Sequence, residues 1–391
     1  MKSSIAIGWV SLCMVACSGE VGDVGGSGGE GASAGAAGTV LVGAGGSTTV
    51  GSSTVGSNTT GSSGSSSTGG AGGSQSTGGS GGSSVTNDAG GSGGSGPSGP
   101  TDFAPYFPSW TWGAGGYAYS SLADLESKSG LKQVTLAFVL SGGTCKASGG
   151  MAQHLSDIKA FIAAGGHVKA SFGGASGTYV ETGCADAGSL AKAIGDFVDA
   201  TGITDLDFDI EQNTWLTDSA NDMRGKALKI VQDAKNIRVA FTLEAVPTTG
   251  LTDRGRSVVS HAVAAGARVA HVNLMTMDYG DSYGGKPLAP VAIGSLNGAH
   301  SQLMNMISGL TSQQAWAMVG VIPMIGKNDD AEVFSLDDAK TVAQFAIDNK
   351  IGLVSFWSID RDQLCGSSAD ACSSVNKANF DFTHAFAVVA P

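Results

Sequence analysis

ITDLDFDIEQ occupies residues 203–212. Asp205, Asp207, Asp209 and Glu211 alternate with Leu206, Phe208 and Ile210. Alternation is the strand period, so the four carboxylates share one face and the apolar side chains the other. Neighbours two apart on a strand face sit about 6.5–7 Å from each other. The chain is only 14% charged, so four acids along one strand face call for an explanation.

The surroundings of this strand supply the fold. Apolar, β-branched runs recur at Phe103–Phe107, Gln133–Leu140, His167–Phe172, Ile203–Glu211, Ile237–Leu243, Val269–Met277, Met318–Met324 and Leu353–Trp357. Helical spacing of apolar residues falls between most of them, over Met151–Ala164, Ser189–Ala200, Ala220–Ala234, Arg254–Ala265, Ala299–Leu310 and Leu336–Asn349. Eight strands with intervening helices predict an α/β fold, a (β/α)8 TIM barrel, with a doubly wound open sheet as the rival. In a barrel, Leu206, Phe208 and Ile210 pack against the helices. The acids climb the interior, and Glu211 emerges at the C-terminal rim, where barrel sites are built.

The barrel fills only residues 101–391. Residues 1–17 read as an export signal: Lys2, then an apolar run from Ile5 to Ala16 that is too short to span a bilayer. The run ends in Met14-Val15-Ala16-Cys17, which resembles the lipobox of bacterial lipoproteins and marks Cys17 for lipidation, with ordinary secretion as the rival. Residues 18–100 are almost entirely Gly, Ser, Thr and Ala and hold no aromatic residue. Such a tract buries too little apolar area to offset chain entropy and reads as a disordered linker with a root-mean-square span of roughly 50 Å. Its Gly78-Gly79-Ser80-Gly81-Gly82 matches a serine-hydrolase elbow but lacks the flanking strand and helix that would give the match meaning. The expected location is therefore the outer membrane or cell surface as a lipoprotein, or the medium.

The net charge of −12 argues against nucleic acid and anionic membrane surfaces as partners. Any membrane contact is expected only through the lipid anchor, and the chain is expected to be a monomer. Cys145, Cys184, Cys365 and Cys372 lie in polar or Gly-rich loops. In an exported protein, four loop cysteines favour two disulfides, expected as Cys365–Cys372 and so Cys145–Cys184. There is no C-x-x-C, and none of the six histidines stands four residues from another, so neither a metal site nor a cofactor is expected.

Carboxylates stacked in a confined interior cannot all ionise cheaply, because like neighbours and desolvation both raise the pKa. Glu211 at the rim is the member expected to stay protonated near neutral pH and act as a general acid, with Asp209 bonding to it or to substrate. Three plainer readings compete. One is the polar outer face of an edge strand. Another is a calcium loop, which would need Gly at Ile210 and Glu at Leu216. The third is an acid cluster kept for structure alone.

Asp207-Phe208-Asp209-Ile210-Glu211 resembles the D-x-D-x-E end of the fourth-strand signature of glycoside hydrolase family 18, the chitinase family. The signature's first Asp corresponds to Thr204 and its Gly to Asp205. Four further motifs follow in family order. Ser171-Phe172-Gly173-Gly174 resembles the third-strand S-x-G-G. Residues 243–250 resemble the loop after strand five, with Glu244 where many members carry Pro. Asn273-Leu274-Met275-Thr276-Met277-Asp278-Tyr279 resembles the sixth-strand motif. Phe356-Trp357 resembles the end of the eighth strand. The resemblance covers about 103–360 and points to the secreted bacterial branch without an inserted extra domain.

It implies a retaining mechanism in which the substrate's N-acetyl oxygen is the nucleophile, an exception to the two-carboxylate rule. Glu211 would be general acid and base, Asp209 would hold the acetamide, and Asp207 would tune Asp209 through a shared proton. Ser171, Gly174, Met275, Asp278 and Tyr279 would contribute to substrate binding, and Trp357 would form the floor under the sugar. Tyr106, Trp110 and Trp112 follow the first strand and are expected as stacking subsites, with Trp215 similarly placed. One departure matters: the sixth-strand motif usually carries a tyrosine where Met277 stands, and that hydroxyl helps hold the acetamide. The expected substrate is a polysaccharide or oligosaccharide containing N-acetylglucosamine. Three rivals remain: an endo-β-N-acetylglucosaminidase acting on N-glycan cores, a chitin-binding lectin, and a glycosidase using two true carboxylates, Glu211 and Glu244.

Overall fold

The computed structural model describes residues 101–365 and 372–390. The leader, Cys17 and the Gly/Ser-rich tract lie outside these residues.

Eight parallel strands curl into a closed barrel. The first, β1, comes in two pieces, Asp102–Phe103 and Tyr106–Pro108. Then follow β2 (Gln133–Ser141), β3 (His167–Gly173), β4 (Asp205–Asp209), β5 (Arg238–Val246), β6 (His271–Met275), β7 (Val319–Ile322) and β8 (Leu353–Val354). Each strand pairs with the next, and β1 closes the circle: its first piece pairs with β8 and its second with β2. Among the described residues the helices are α1 (Leu122–Ser129), α2 (Leu155–Ala163), α3 (Ala187–Thr201), α4 (Asp218–Ala234), α5 (Asp253–Ala264), α6 (Ala289–Met306), α7 (Ser312–Met318), α8 (Leu336–Asn349) and α9 (Asp381–Phe386).

Local chemistry explains the helix ends. Asp186, Thr311 and Ser335 each close a capping box at the start of α3, α7 and α8. Gly130 and Gly202 end α1 and α3 in the left-handed conformation. Apolar spacing misses α1, α7 and α9, which are too short to show a period; α1 and α7 rest on their Ser121 and Thr311 caps. α6 begins ten residues before its expected start, because Pro290 sits in its first turn, where a missing N–H is tolerated.

The outward faces of the strands form the main core. Phe208 on β4 lies between Phe172 on β3 and Phe241 on β5, with ring centroids 5.0 and 6.1 Å away. Each such buried ring contributes about 1.5–3 kcal/mol relative to exposure.

The inward faces are layered. Lys169, Asp205 and Arg238 are register partners across β3, β4 and β5, at the N-terminal end of the barrel. Lys169 Nζ lies 2.7 Å from Asp205 and 3.3 Å from Asp102, and Arg238 bridges the same two carboxylates at 3.1 Å each. Asp205 is therefore not a member of a stacked acid ladder, as alternation alone implied. Burial raises its carboxyl, but Lys169 and Arg238 outweigh burial and hold it below the usual range. His271, buried beside them, is pushed down to about 3 by burial and the two cations, so it is neutral. Among the described residues, disulfides join Cys145 to Cys184 and Cys365 to Cys372.

Candidate active site

Above the ionic layer sits a polar one built on Asp207. Its carboxylate accepts from Ser171 Oγ (2.7 Å), Tyr106 Oη (2.9 Å), Thr242 Oγ1 (2.9 Å) and Asn273 Nδ2 (3.2 Å). Burial still raises its pKa, against the lowering effect of these bonds. Tyr106 was expected as a stacking platform. Instead it is 2% exposed and serves as a donor to Asp207. Ser171 likewise acts on the acid strand.

Asp209 comes next, and its situation is opposite. It is buried, and its Oδ1 has no hydrogen-bond partner. Burial first, then Glu211 and Asp207, raise its pKa well above the ordinary value. The strand end leaves it little room. Gly173 and Gly174 take φ of +110° and +92°, and a Cβ on Gly173 would lie 2.1 Å from the Asp209 carbonyl. Gly174 N–H donates to that same carbonyl at 2.9 Å. The glycine pair is thus required for β3 to approach the acid strand so closely.

Glu211 stands two residues past the end of β4, half-buried at the C-terminal mouth. Its carboxyl receives no hydrogen bond from the described residues. Loss of hydration, then the charge of Asp278, raises it to about 7. Asp278 faces it from the loop after β6, at φ +49°, and accepts from Asp329 N–H at 3.0 Å. Loss of hydration, with Asp329 and Asp330 nearby, raises Asp278 to about 6.

An aromatic wall borders the acids. Trp357 stacks on Phe138 with centroids 5.7 Å apart and planes at 13°, and it touches Tyr106 and Trp110 at 5.6 and 6.2 Å. Trp110 is 58% exposed at the edge of this wall. Met277 packs into this inner cluster with Trp357 and Phe138, so a thioether occupies the place where the family pattern has a phenol. Met275 is half-buried at the end of β6.

Three residues expected against substrate have protein partners of their own. The Tyr279 hydroxyl meets Ser295 of α6 at 3.1 Å, and its ring packs beside Tyr283, so it turns away from the acids. The physical reason is the left-handed turn at Asp278, followed by Gly280 at φ +105°. Trp112 donates to Asp157 at 2.8 Å and stacks on His154. Trp215 stacks on Tyr179. Thr242 and Phe138 have no part in the sequence reading, and Asn273 enters it only as the first residue of the sixth-strand motif. Thr242 and Asn273 were legible as polar residues at inward positions of otherwise apolar strands, but Phe138 carried no such mark.

The fold and this site together define a barrel domain of the glycoside hydrolase class. No protein-family model matches the chain. Over 269 residues it is 38% identical to a probable bifunctional chitinase/lysozyme of Escherichia coli strain K12, covering 63% of this chain and 30% of that protein. Over 260 residues it is 38% identical to endochitinase 11 of Metarhizium anisopliae, covering 62% of this chain and 49% of that protein. The chain thus spans half or less of the length of these relatives. The crystal structure of the catalytic domain of a hyperthermophilic chitinase from Pyrococcus furiosus is 31% identical, with a TM-score of 0.66, covering 75% of this chain and 96% of that one. The chain belongs to the chitinase family, glycoside hydrolase family 18.

Proposed function

We propose that the domain hydrolyses β-1,4 bonds between N-acetylglucosamine units with retention, the substrate's own acetamide serving as nucleophile. The observation that carries this reading is the contrast within β4. Asp209 is buried with an unpartnered oxygen directly below an acid raised to about 7. An acetamide N–H would supply the donor that Asp209 lacks. A positively charged sugar ring would supply its missing counter-charge.

In the forward step Glu211 gives its proton to the glycosidic oxygen. The acetamide oxygen attacks the anomeric carbon as the C–O bond to the leaving sugar breaks. An oxazolinium ion results, held by Asp209 and flanked by Trp357. Glu211, now a carboxylate, takes a proton from water as that water's oxygen attacks the anomeric carbon and the oxazolinium ring opens. Asp207, fully bonded, keeps the layer beneath in place. The intact Glu211 also argues against the lectin reading.

The test is hydrolysis of N-acetylglucosamine oligomers by the full chain, with de-N-acetylated oligomers as control. Cleavage of the first and not the second supports the acetamide as nucleophile. Equal cleavage of both would point to Glu211 and Glu244 as a two-carboxylate pair. Release of N-glycans without chitin-oligomer cleavage would point to the endo-β-N-acetylglucosaminidase reading. The paired cysteines of the domain also fit an oxidising compartment, which supports export. Metabolic labelling of Cys17 with a fatty acid tests the anchor.

A further inference from the structure

The last ladder residue of β4 is Asp209, yet the proposed acid is Glu211. Ile210 N–H still reaches Thr242 O at 3.1 Å, but the Glu211 N–H has left the sheet. It donates instead to the Tyr179 hydroxyl, at 3.1 Å. Tyr179 comes from the loop after β3 and is 2% exposed. The same hydroxyl lies 2.8 Å from Gly174 O and 3.1 Å from Asp209 O, so its single proton is spent on one of these carbonyls while its lone pair receives Glu211.

Tyr179 is itself held on several sides. Its ring stacks on Trp215, centroids 6.2 Å apart and planes at 15°. Two residues on, buried Glu181 accepts from Arg224 Nε at 2.9 Å. Arg224, on α4 and 1% exposed, also donates to Trp215 O at 3.1 Å. One guanidinium therefore binds both the loop carrying Tyr179 and the loop that follows Glu211. Cys184, at the end of the first loop, is fixed to Cys145.

We infer that Tyr179 is a positioning residue for Glu211: its hydroxyl sets the height of the acid above Asp209, and Arg224 with Glu181 holds Tyr179 in place. The inference rests on the proposed reaction for its catalytic consequence and on geometry alone for the positioning. Misplacing a reacting group by about 1 Å can cost on the order of 100-fold in rate, so the clamp matters even though Tyr179 is not placed against the substrate.

Tyr179→Phe in the full chain keeps the ring on Trp215 and removes only the hydroxyl. The groups facing Glu211, namely Asp209 below and Asp278 across the mouth, are unchanged in it. Two readouts are taken. One is kcat and KM on N-acetylglucosamine oligomers across pH. The other is the carboxyl carbon titration of Glu211 by NMR, which needs no activity. We expect kcat to fall about tenfold with KM within about twofold. We also expect the Glu211 midpoint to move toward an ordinary glutamate as the released acid rehydrates, and the alkaline limb of the rate profile to move with it. A wild-type kcat in the variant, or an unmoved midpoint, overturns the inference. Inactivity of the wild type on these oligomers defeats the proposed function instead, and the NMR midpoint alone then decides the positioning claim.

Discussion

Asp207 and Asp209 are two residues apart on one strand, yet one carboxylate accepts four hydrogen bonds and the other has a buried oxygen that accepts none. The first is a finished structural joint, and the second is an unfilled socket. Asp207→Asn replaces one oxygen with an amide N–H₂ that points at existing donors. Each lost or opposed bond costs about 1–3 kcal/mol. We expect a melting temperature lower by several degrees and a kcat lower by about 10–100-fold. Thermal denaturation and steady-state kinetics on the same preparation check both.

Glu211→Gln should cost about 10²–10⁴ in kcat, as loss of a general acid does. It should also change stability in a pH-dependent way. The folded-state value of about 7 lies above the ordinary 4.5. The folded chain therefore holds this proton more tightly than the unfolded one, and wild-type stability declines as pH rises from about 4.5 to 7. The glutamine variant lacks that loss. It should melt with the wild type near pH 4 and several degrees above it at pH 8. Coincident melting curves at pH 8 would contradict the raised value.

The alkaline limb of the rate profile should fall near pH 7, where Glu211 loses its proton. Asp278 contributes to that value through its charge. Asp278→Asn should move the limb toward lower pH. A limb that stays put would mean that the charge of Asp278 does not reach the acid.

Trp110 is mostly exposed at the edge of the aromatic wall, beside Trp357. Trp110→Ala should raise KM several-fold on long oligomers and leave kcat nearly unchanged, the pattern of lost uniform binding. An equal effect on the dimer and the hexamer would remove Trp110 from any extended subsite.

Lys169 is 1% exposed and ion-paired at the foot of the barrel. Lys169→Met leaves Asp205 with Arg238 alone as a close cation and should destabilise by about 3 kcal/mol, read by chemical denaturation. Adding Asp205→Leu should recover part of that loss. Because Asp205 is held below its ordinary value, its contribution is present above the unfolded pKa and fades as pH drops through the folded one.

The barrel was legible because two periods alternate along the chain, and the acid strand was legible because its charges break an apolar pattern. The rim was less so. Alternation continues Asp205 into the series of Asp207 and Asp209, but it is blind to Lys169 and Arg238 arriving from the neighbouring strands. Aromatic residues near the mouth look alike in sequence: Trp110 is exposed, Trp112 and Tyr279 are each held by a polar partner outside the acid site, and Trp215 backs Tyr179, whose hydroxyl receives the Glu211 N–H. What decides among them is loop backbone, such as the positive φ at Asp278, and residue type alone does not announce it. Tyr179 was silent for the same reason, being one tyrosine in a loop whose importance comes from where its oxygen ends.

The two-piece first strand has a consequence for how the chain reaches its shape. Phe103 pairs with Val354, while Tyr106 pairs with Thr135. The seam of the cylinder therefore joins the first and last barrel strands to leave the ribosome. Until Leu353 and Val354 arrive, the growing sheet has two open margins, each able to recruit a strand from another molecule. Closing this seam has the longest sequence separation of any neighbour pairing in the barrel, and such distant pairings form slowly. A chain cut short before Ile351 would retain most of its hydrophobic interior and its proposed acid, yet would behave as an adhesive intermediate rather than as a weakened enzyme.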